Sequence, residues 1–259
     1  MLHGFGISAF GWRVAILADC ESTHAVLDRY LFPWLPRAAA EPEDADAVFR
    51  VIAGEEGFQV RDGDRAVAHS STLETLIPLL QSLLDEGMVQ RFTGVVAVHA
   101  GAVAIDGSAV LLPGPSHAGK STLVAELVRR GCVYFSDEYA LIDDLGLAHP
   151  YPRAMMLRNG QAEAHPVLAS EWNVTVGRGP APVRLVLALE HAPGSSWSIR
   201  RVPQSEMLLM LLKNTPHSIS ESSNLAPALL RASGAAACFA GTRGEAADAA
   251  GRILALLET

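Results

Sequence analysis

The hydrophobic positions along this chain change period repeatedly, and each change predicts an element. Runs over 14–17, 48–52, 58–61 and 65–68 are short and apolar or alternating, as strands require. Asp62-Gly63 supplies a hairpin turn between the last two. A helix is predicted over 23–30, closed by Pro33 and Pro36. A second is predicted from a Ser71 or Thr72 cap to about residue 86. Within it Leu73, Leu76, Ile77, Leu80, Leu83 and Leu84 form one stripe, and Pro78 lies early enough to be tolerated. From Thr93 onward the apolar runs lengthen. Strands are predicted over 95–105 and 108–112, turned by Asp106-Gly107. A helix over 121–130 buries Leu123, Val124, Leu127 and Val128, and Gly131 ends it. Further strands are expected over 132–135, 183–189 and 198–202, the last two separated by Pro193-Gly194. Helices are expected over 206–213, 226–232 and 245–257. The pattern is α/β, with a small N-terminal unit over 1–90 and a larger unit over 91–259.

Composition narrows the functions. Hydrophobic residues make up 49% of the 259 positions and charged residues 19%, enough for a sizeable core. The formal charge is −8, which argues against nucleic-acid binding as the main activity, although Arg129-Arg130 and Arg200-Arg201 are local basic patches. Cys20, Cys132 and Cys238 are odd in number and far apart, with no C-x-x-C spacing, so reduced thiols are expected rather than a disulfide framework or a zinc site. The first residues show no signal-peptide pattern, and no apolar run is long enough to span a membrane.

The chemistry concentrates at residues 114–122, Gly-Pro-Ser-His-Ala-Gly-Lys-Ser-Thr, which fit the G-x-x-x-x-G-K-[ST] phosphate-binding loop. An apolar run leads in and a helical run leads out. A strand is needed to aim such a loop, and a helix N-terminus completes its anion cradle. The expected nucleotide-binding residues are Gly114, Ser116, His117, Ala118, Gly119, Lys120, Ser121 and Thr122. Lys120 would meet the β- and γ-phosphates, and Ser121 would offer its hydroxyl to Mg²⁺. The alternative is an ordinary Gly-rich strand-to-helix turn. Asp137 and Glu138 follow the next apolar run, 17 and 18 residues after Lys120. Neighbours on a strand point to opposite faces, so both can serve one site only if the chain bends there.

The stretch from Val98-His99-Ala100-Gly101 through the loop to Ser136-Asp137-Glu138 resembles the catalytic domain of the bacterial HPr kinase/phosphorylase family, most strongly over 95–145. It is closer to HPr-kinase-related proteins that carry Gly-Pro-Ser-x-x-Gly-Lys-Ser-Thr and Ser-Asp-Glu. Some of those accompany peptide-modification systems, including lasso-peptide maturation, and act as peptide kinases. The resemblance implies a P-loop kinase fold of the phosphoenolpyruvate-carboxykinase-like type, with a mixed sheet. It implies ATP and Mg²⁺, a peptide or small-protein acceptor phosphorylated on a hydroxyl (Ser foremost), a cytoplasmic location, and a homo-oligomer, because the family often assembles. Lys120 and Asp137 would be catalytic, with Asp137 as base. Glu138 would be the metal-side carboxylate, and His99 would orient or polarise Asp137. Two departures stand out. His117 fills a slot that is usually Gly in HPr kinases, and the acidic pair is Asp-Glu where they have Asp-Asp.

Beyond residue 150 the signal fades. Arg153 follows Pro150 and Pro152 and is a candidate clamp for a phosphate or acceptor carboxylate, with surface charge as the alternative. Met207 and Met210 read as core. Besides the kinase reading, two others stay open: a nucleotide-binding regulator without phosphotransfer, and an NTPase or phosphorylase. A small-molecule hydroxyl acceptor is also open.

Overall fold

The computed structural model describes residues 3–31, 37–38, 42–116, 118–157, 165–167, 174–216 and 225–258. The chain divides into two units, Met1–Thr93 with Arg153–Glu171, and Gly94–Pro152 with Trp172–Thr259. Both carry a sheet with helices, so the class is mixed α/β.

In the first unit, β1 (His3–Ala9) and β2 (Trp12–Ala18) form a hairpin through Phe10 and Gly11, both with positive φ. Next come α1 (Glu21–Leu31), β3 (Arg37–Ala38), β4 (Ala47–Gly54), β5 (Gly57–Asp62), β6 (Arg65–Ser70) and α2 (Leu73–Arg91). The sheet order is β3-β1-β2-β4-β5-β6, with β2 and β4 parallel. Thr72 caps α2: its side chain accepts from the Thr75 amide at 3.2 Å, a contact that contributes about 1 kcal/mol. The expected stripe of α2 is buried at Leu73, Leu76, Ile77, Leu80 and Leu84, and the core also holds Trp12, Ile16 and Leu27.

The second unit opens with β7 (Val95–Ile105) and β8 (Ser108–Pro113), a hairpin turned at Asp106 and Gly107 with φ 50° and 73°. Both are in the left-handed region, where Asp and Gly are the tolerant residues. Then follow α3 (Lys120–Arg129), β9 (Val133–Ser136), β10 (Tyr139–Asp143) and β11 (Leu147–His149). α3 buries Leu123, Val124, Leu127 and Val128, at about 1.5–3 kcal/mol for each fully buried side chain. It packs closely on β7 because Gly101 has no side chain; a Cβ there would lie 2.6 Å from Val124 Cγ2.

At residue 153 the chain enters the first unit, with the two-residue strands β12 (Met156–Leu157) and β13 (His165–Pro166) paired to each other. This differs from the expectation that everything after residue 90 forms one unit. The reason is local. The buried Arg153 guanidinium is ion-paired with Asp85 of α2, and Gln81 of α2 donates to the Ala154 carbonyl at 3.5 Å.

The second unit resumes with β14 (Ala181–His191), β15 (Ser198–Arg201), α4 (Gln204–Lys213), α5 (Leu225–Ala235), β16 (Ala237–Arg243) and α6 (Ala246–Leu257). Its sheet order is β11-β10-β7-β8-β14-β16-β15, with β9 also on β7 and β11 also on β14. β8, β14 and β16 are mutually parallel and the other pairs are antiparallel. β8 therefore stands centrally, with β7 on one side and β14 on the other, and its carboxyl end runs into the 114–122 loop.

Candidate functional site

The loop leaves β8 at Gly114 and enters α3 at Lys120. Gly119 caps the helix with φ 74° and ψ 22°, a left-handed conformation that costs other L-residues roughly 1–2 kcal/mol. The first turn of α3 thus begins with Lys120, Ser121 and Thr122, whose amides lack intrahelical acceptors. Ser116 is exposed, Ala118 and Ser121 are half-buried and Thr122 is exposed. His117, expected among the nucleotide-binding residues, lies outside the described residues.

Lys120 is buried, and its ammonium has three partners. It donates to the Gly114 carbonyl at 3.0 Å and the Pro115 carbonyl at 2.8 Å, and it lies 3.1 Å from His99 Nε2. Burial pushes its pKa below the ordinary lysine value, while the charges of Glu138 and Asp137 pull it partly back up. His99 Nε2 is also 3.0 Å from Glu138 Oε1. One ring nitrogen therefore faces an ammonium and a carboxylate. With its lone pair free it accepts from Lys120; protonated, it donates to Glu138.

The acidic pair follows the end of β9, as the sequence suggested, and a second strand, β10, starts directly after it. Both strands pair with β7. Ser136 of β9 is opposite Ala102 and Tyr139 of β10 is opposite His99. At the interruption the Ala100 amide donates to the Glu138 carbonyl at 3.0 Å. Ser136 Oγ accepts from the Glu138 and Tyr139 amides at 3.2 and 3.1 Å. The chain bends at these two residues while its pairing with β7 keeps register across them, and the two carboxylates meet different surroundings. Asp137 is only 2% exposed, and its Oδ1 accepts the Tyr134 hydroxyl at 2.9 Å. The Glu138 side chain is 31% exposed and faces His99. The contact shown for His99 is with Glu138, where the resemblance implies a role toward Asp137.

Sequence reasoning missed Arg243. It ends β16, is 3% exposed, and donates through Nη2 to the Ala118 carbonyl at 3.3 Å and the Gly119 carbonyl at 2.9 Å. Its Nη1 donates to the Gly244 carbonyl at 2.9 Å. Burial lowers its pKa from the ordinary arginine value, opposed by Glu245. Two loop carbonyls are thereby tied to β16. The only sequence signal was an arginine closing an otherwise apolar strand, and nothing in its spacing tied it to the loop.

Arg153 lies in the first unit, its guanidinium committed to Asp85. The expectation of a phosphate or acceptor contact meets instead a buried ion pair. Met207 is core as expected; Met210 packs against the same core, partly buried, and also lines a cavity beside the loop.

Among the described residues, no group of three His, Cys, Asp or Glu side chains is arranged to hold a metal. A Mg²⁺ carried in on phosphates needs only one or two protein oxygens. Ser121 Oγ and a carboxylate of the Asp137-Glu138 pair are donors of that hard, oxygen type. Cys20, Cys132 and Cys238 are free thiols, and among the described residues no helix is long and apolar enough to cross a membrane.

No family model and no curated protein matches the chain. Among solved structures it is similar to the Hpr(Ser) kinase/phosphatase from Coxiella burnetii. The identity is 17% and the TM-score 0.30, over 46% of this chain and 94% of that one.

Proposed function

We propose that this protein is an ATP-dependent kinase that transfers the γ-phosphoryl group to a hydroxyl, Ser foremost, of a peptide or small protein. One observation carries the reading. The Lys120 ammonium, at the start of the helix that follows a G-x-x-x-x-G-K-S loop, is 3.1 Å from His99 Nε2, and that nitrogen is 3.0 Å from Glu138. Phosphoryl transfer needs a cationic anion-binding loop and a carboxylate base in one place.

In this reading the amides at the start of α3 bind the phosphates. Lys120 exchanges its carbonyl partners for phosphate oxygens. Ser121 and one carboxylate would hold Mg²⁺, which would supply charge neutralisation for the phosphates. The resemblance assigns the base to Asp137 and the metal contact to Glu138. Burial favours the exchange. Asp137 is fixed by Tyr134 on the inside, suited to a stationary charge near the metal, whereas Glu138 is open to an incoming hydroxyl. Glu138 then takes the acceptor's proton as the acceptor oxygen bonds to the γ-phosphorus and the bond to the β-bridging oxygen breaks. His99 fixes the orientation of that carboxylate.

Incubation with Mg-ATP and a panel of Ser-containing peptides, read by mass spectrometry, tests the proposal. The expected product gains about 80 Da, one added phosphoryl group. Glu138→Gln should abolish transfer while leaving nucleotide binding. Nucleotide binding without transfer to any acceptor would sink the kinase reading in favour of a regulator. Phosphate release without an acceptor would mean an NTPase.

A further inference from the structure

A cavity of about 980 Å³ opens directly beside the loop, and Gly114, Pro115, Ser116 and Ala118 form one of its walls. Its other walls come from the carboxyl ends of β14 and β16, the start of β15 and the last turn of α4. Resting on the kinase reading above, we infer that this cavity receives the nucleoside, base and ribose, of the nucleotide whose phosphates the loop holds.

The argument begins with strand order. β8, which feeds the loop, lies between β7 and β14. On its β7 side stand His99 and, on the chain that runs antiparallel along β7, Asp137 and Glu138. On its β14 side stands the cavity. None of His99, Lys120, Asp137 and Glu138 lines it. A triphosphate held across the loop has two unlike ends. The reacting end must meet the carboxylates, so the nucleoside end is directed to the β14 side. An acceptor hydroxyl has the opposite requirement, since it must lie by the carboxylates, and this argues against the acceptor as occupant.

The lining suits a nucleoside. Leu189, Ile199, Met210 and Ala240 provide apolar surface for a flat ring, and Thr242 and Asn214 provide polar edges. Lys213 and Arg200 add positive charge, the latter ion-paired with Glu206. The volume falls within the range of small-molecule sites, roughly 300–1,000 Å³. Its position at the carboxyl ends of parallel strands is the usual place for ligands in such sheets. The methionine is informative, because a flexible, polarisable side chain adapts to an aromatic ring face.

The test compares Mg-ATP with Mg-tripolyphosphate, which has the phosphates but no nucleoside, by calorimetry on the full chain. Thr242→Trp and Ile199→Trp each fill the cavity from half-buried positions, and the second, on edge strand β15, serves if the first fails to fold. ATP should bind the wild type more tightly than tripolyphosphate. Both variants should lose at least about tenfold in ATP affinity, some 1.4 kcal/mol, with tripolyphosphate unchanged. Equal binding of the two probes by the wild type, or unchanged ATP affinity in both variants, overturns the nucleoside assignment while the loop's role stands. If neither probe binds the wild type, the kinase reading fails and this assignment fails with it.

Discussion

Gly114 and Gly119 are the two fixed glycines of the same eight-residue pattern, yet the structure demands glycine at only one. At Gly119 an added Cβ must adopt φ 74° and would lie 2.5 Å from Arg243 Nη2. The left-handed conformation costs alanine roughly 1–2 kcal/mol. The guanidinium cannot move aside without lengthening its bonds to the Ala118 and Gly119 carbonyls. A hydrogen bond to a charged group contributes about 1.5–3 kcal/mol. Gly119→Ala should therefore cost about 3–5 kcal/mol, divided between folding stability and ligand affinity. If it falls on affinity, that is about two to four orders of magnitude in the Kd for Mg-ATP. If it falls on stability, it lowers Tm by roughly 2–4 °C per kcal/mol. At Gly114 the added Cβ meets Ala118 Cβ at 3.5 Å and Lys120 Cδ at 4.0 Å, which are ordinary contacts. Gly114→Ala should be nearly silent. Calorimetry and thermal melts on both variants decide the matter. A Gly119→Ala protein with wild-type Kd and Tm, or a Gly114→Ala protein as damaged as its partner, would refute the reasoning.

Three further outcomes follow from the site. Because burial lowers the Lys120 pKa and Glu138 opposes that shift, Mg-ATP affinity should be full at lower pH and fall as pH rises through the depressed value. Glu138→Gln removes a charge that helps retain the proton, so the alkaline fall should move to lower pH; Kd against pH for both proteins checks it, and an upward move would contradict it. Tyr134→Phe deletes the hydroxyl that Asp137 accepts in the interior and should destabilise the fold by about 1–3 kcal/mol in urea titrations. Arg243→Lys keeps the charge but loses the planar fork whose Nη2 reaches two loop carbonyls while Nη1 holds the Gly244 carbonyl, so Mg-ATP binding should weaken about tenfold, with a smaller change in Tm; an unchanged Kd would show that the loop keeps its form without the fork.

Local pattern carried most of the elements into view. The Asp106-Gly107 hairpin, the α3 stripe and the Thr72 cap are each written in neighbouring residues, and the structure builds them close to the expected positions. β1 was not legible. Three of its seven residues are His3, Gly4 and Gly6, which dilute the strand signal, and its turn uses Phe10-Gly11, where Asn or Asp would have announced a hairpin. β10 was hidden because the two acids that follow β9 gave no sign that a second strand along β7 starts directly after the kink they form. In the candidate site, the loop and its flanking strand and helix were local and readable. Which carboxylate His99 meets depends on that kink. Arg243 arrives from a strand 124 residues later, and Arg153 is claimed by Asp85 across 68 residues, neither of which any window reveals.

The Arg153–Asp85 pair also bears on how the molecule can be cut or made. A fragment ending at residue 93 would keep an interior carboxylate whose counter-ion had been removed, and one beginning at 94 would carry the orphaned guanidinium. Stranding an interior charge in this way is strongly destabilising, by about 3–5 kcal/mol. On the ribosome, the first unit must wait some sixty residues beyond its own last helix before its final piece emerges, during which the following β-hairpin and loop are already in synthesis. Expression of either half alone should therefore give poorly soluble protein, and co-expression of the two halves should do no better than a chain left whole.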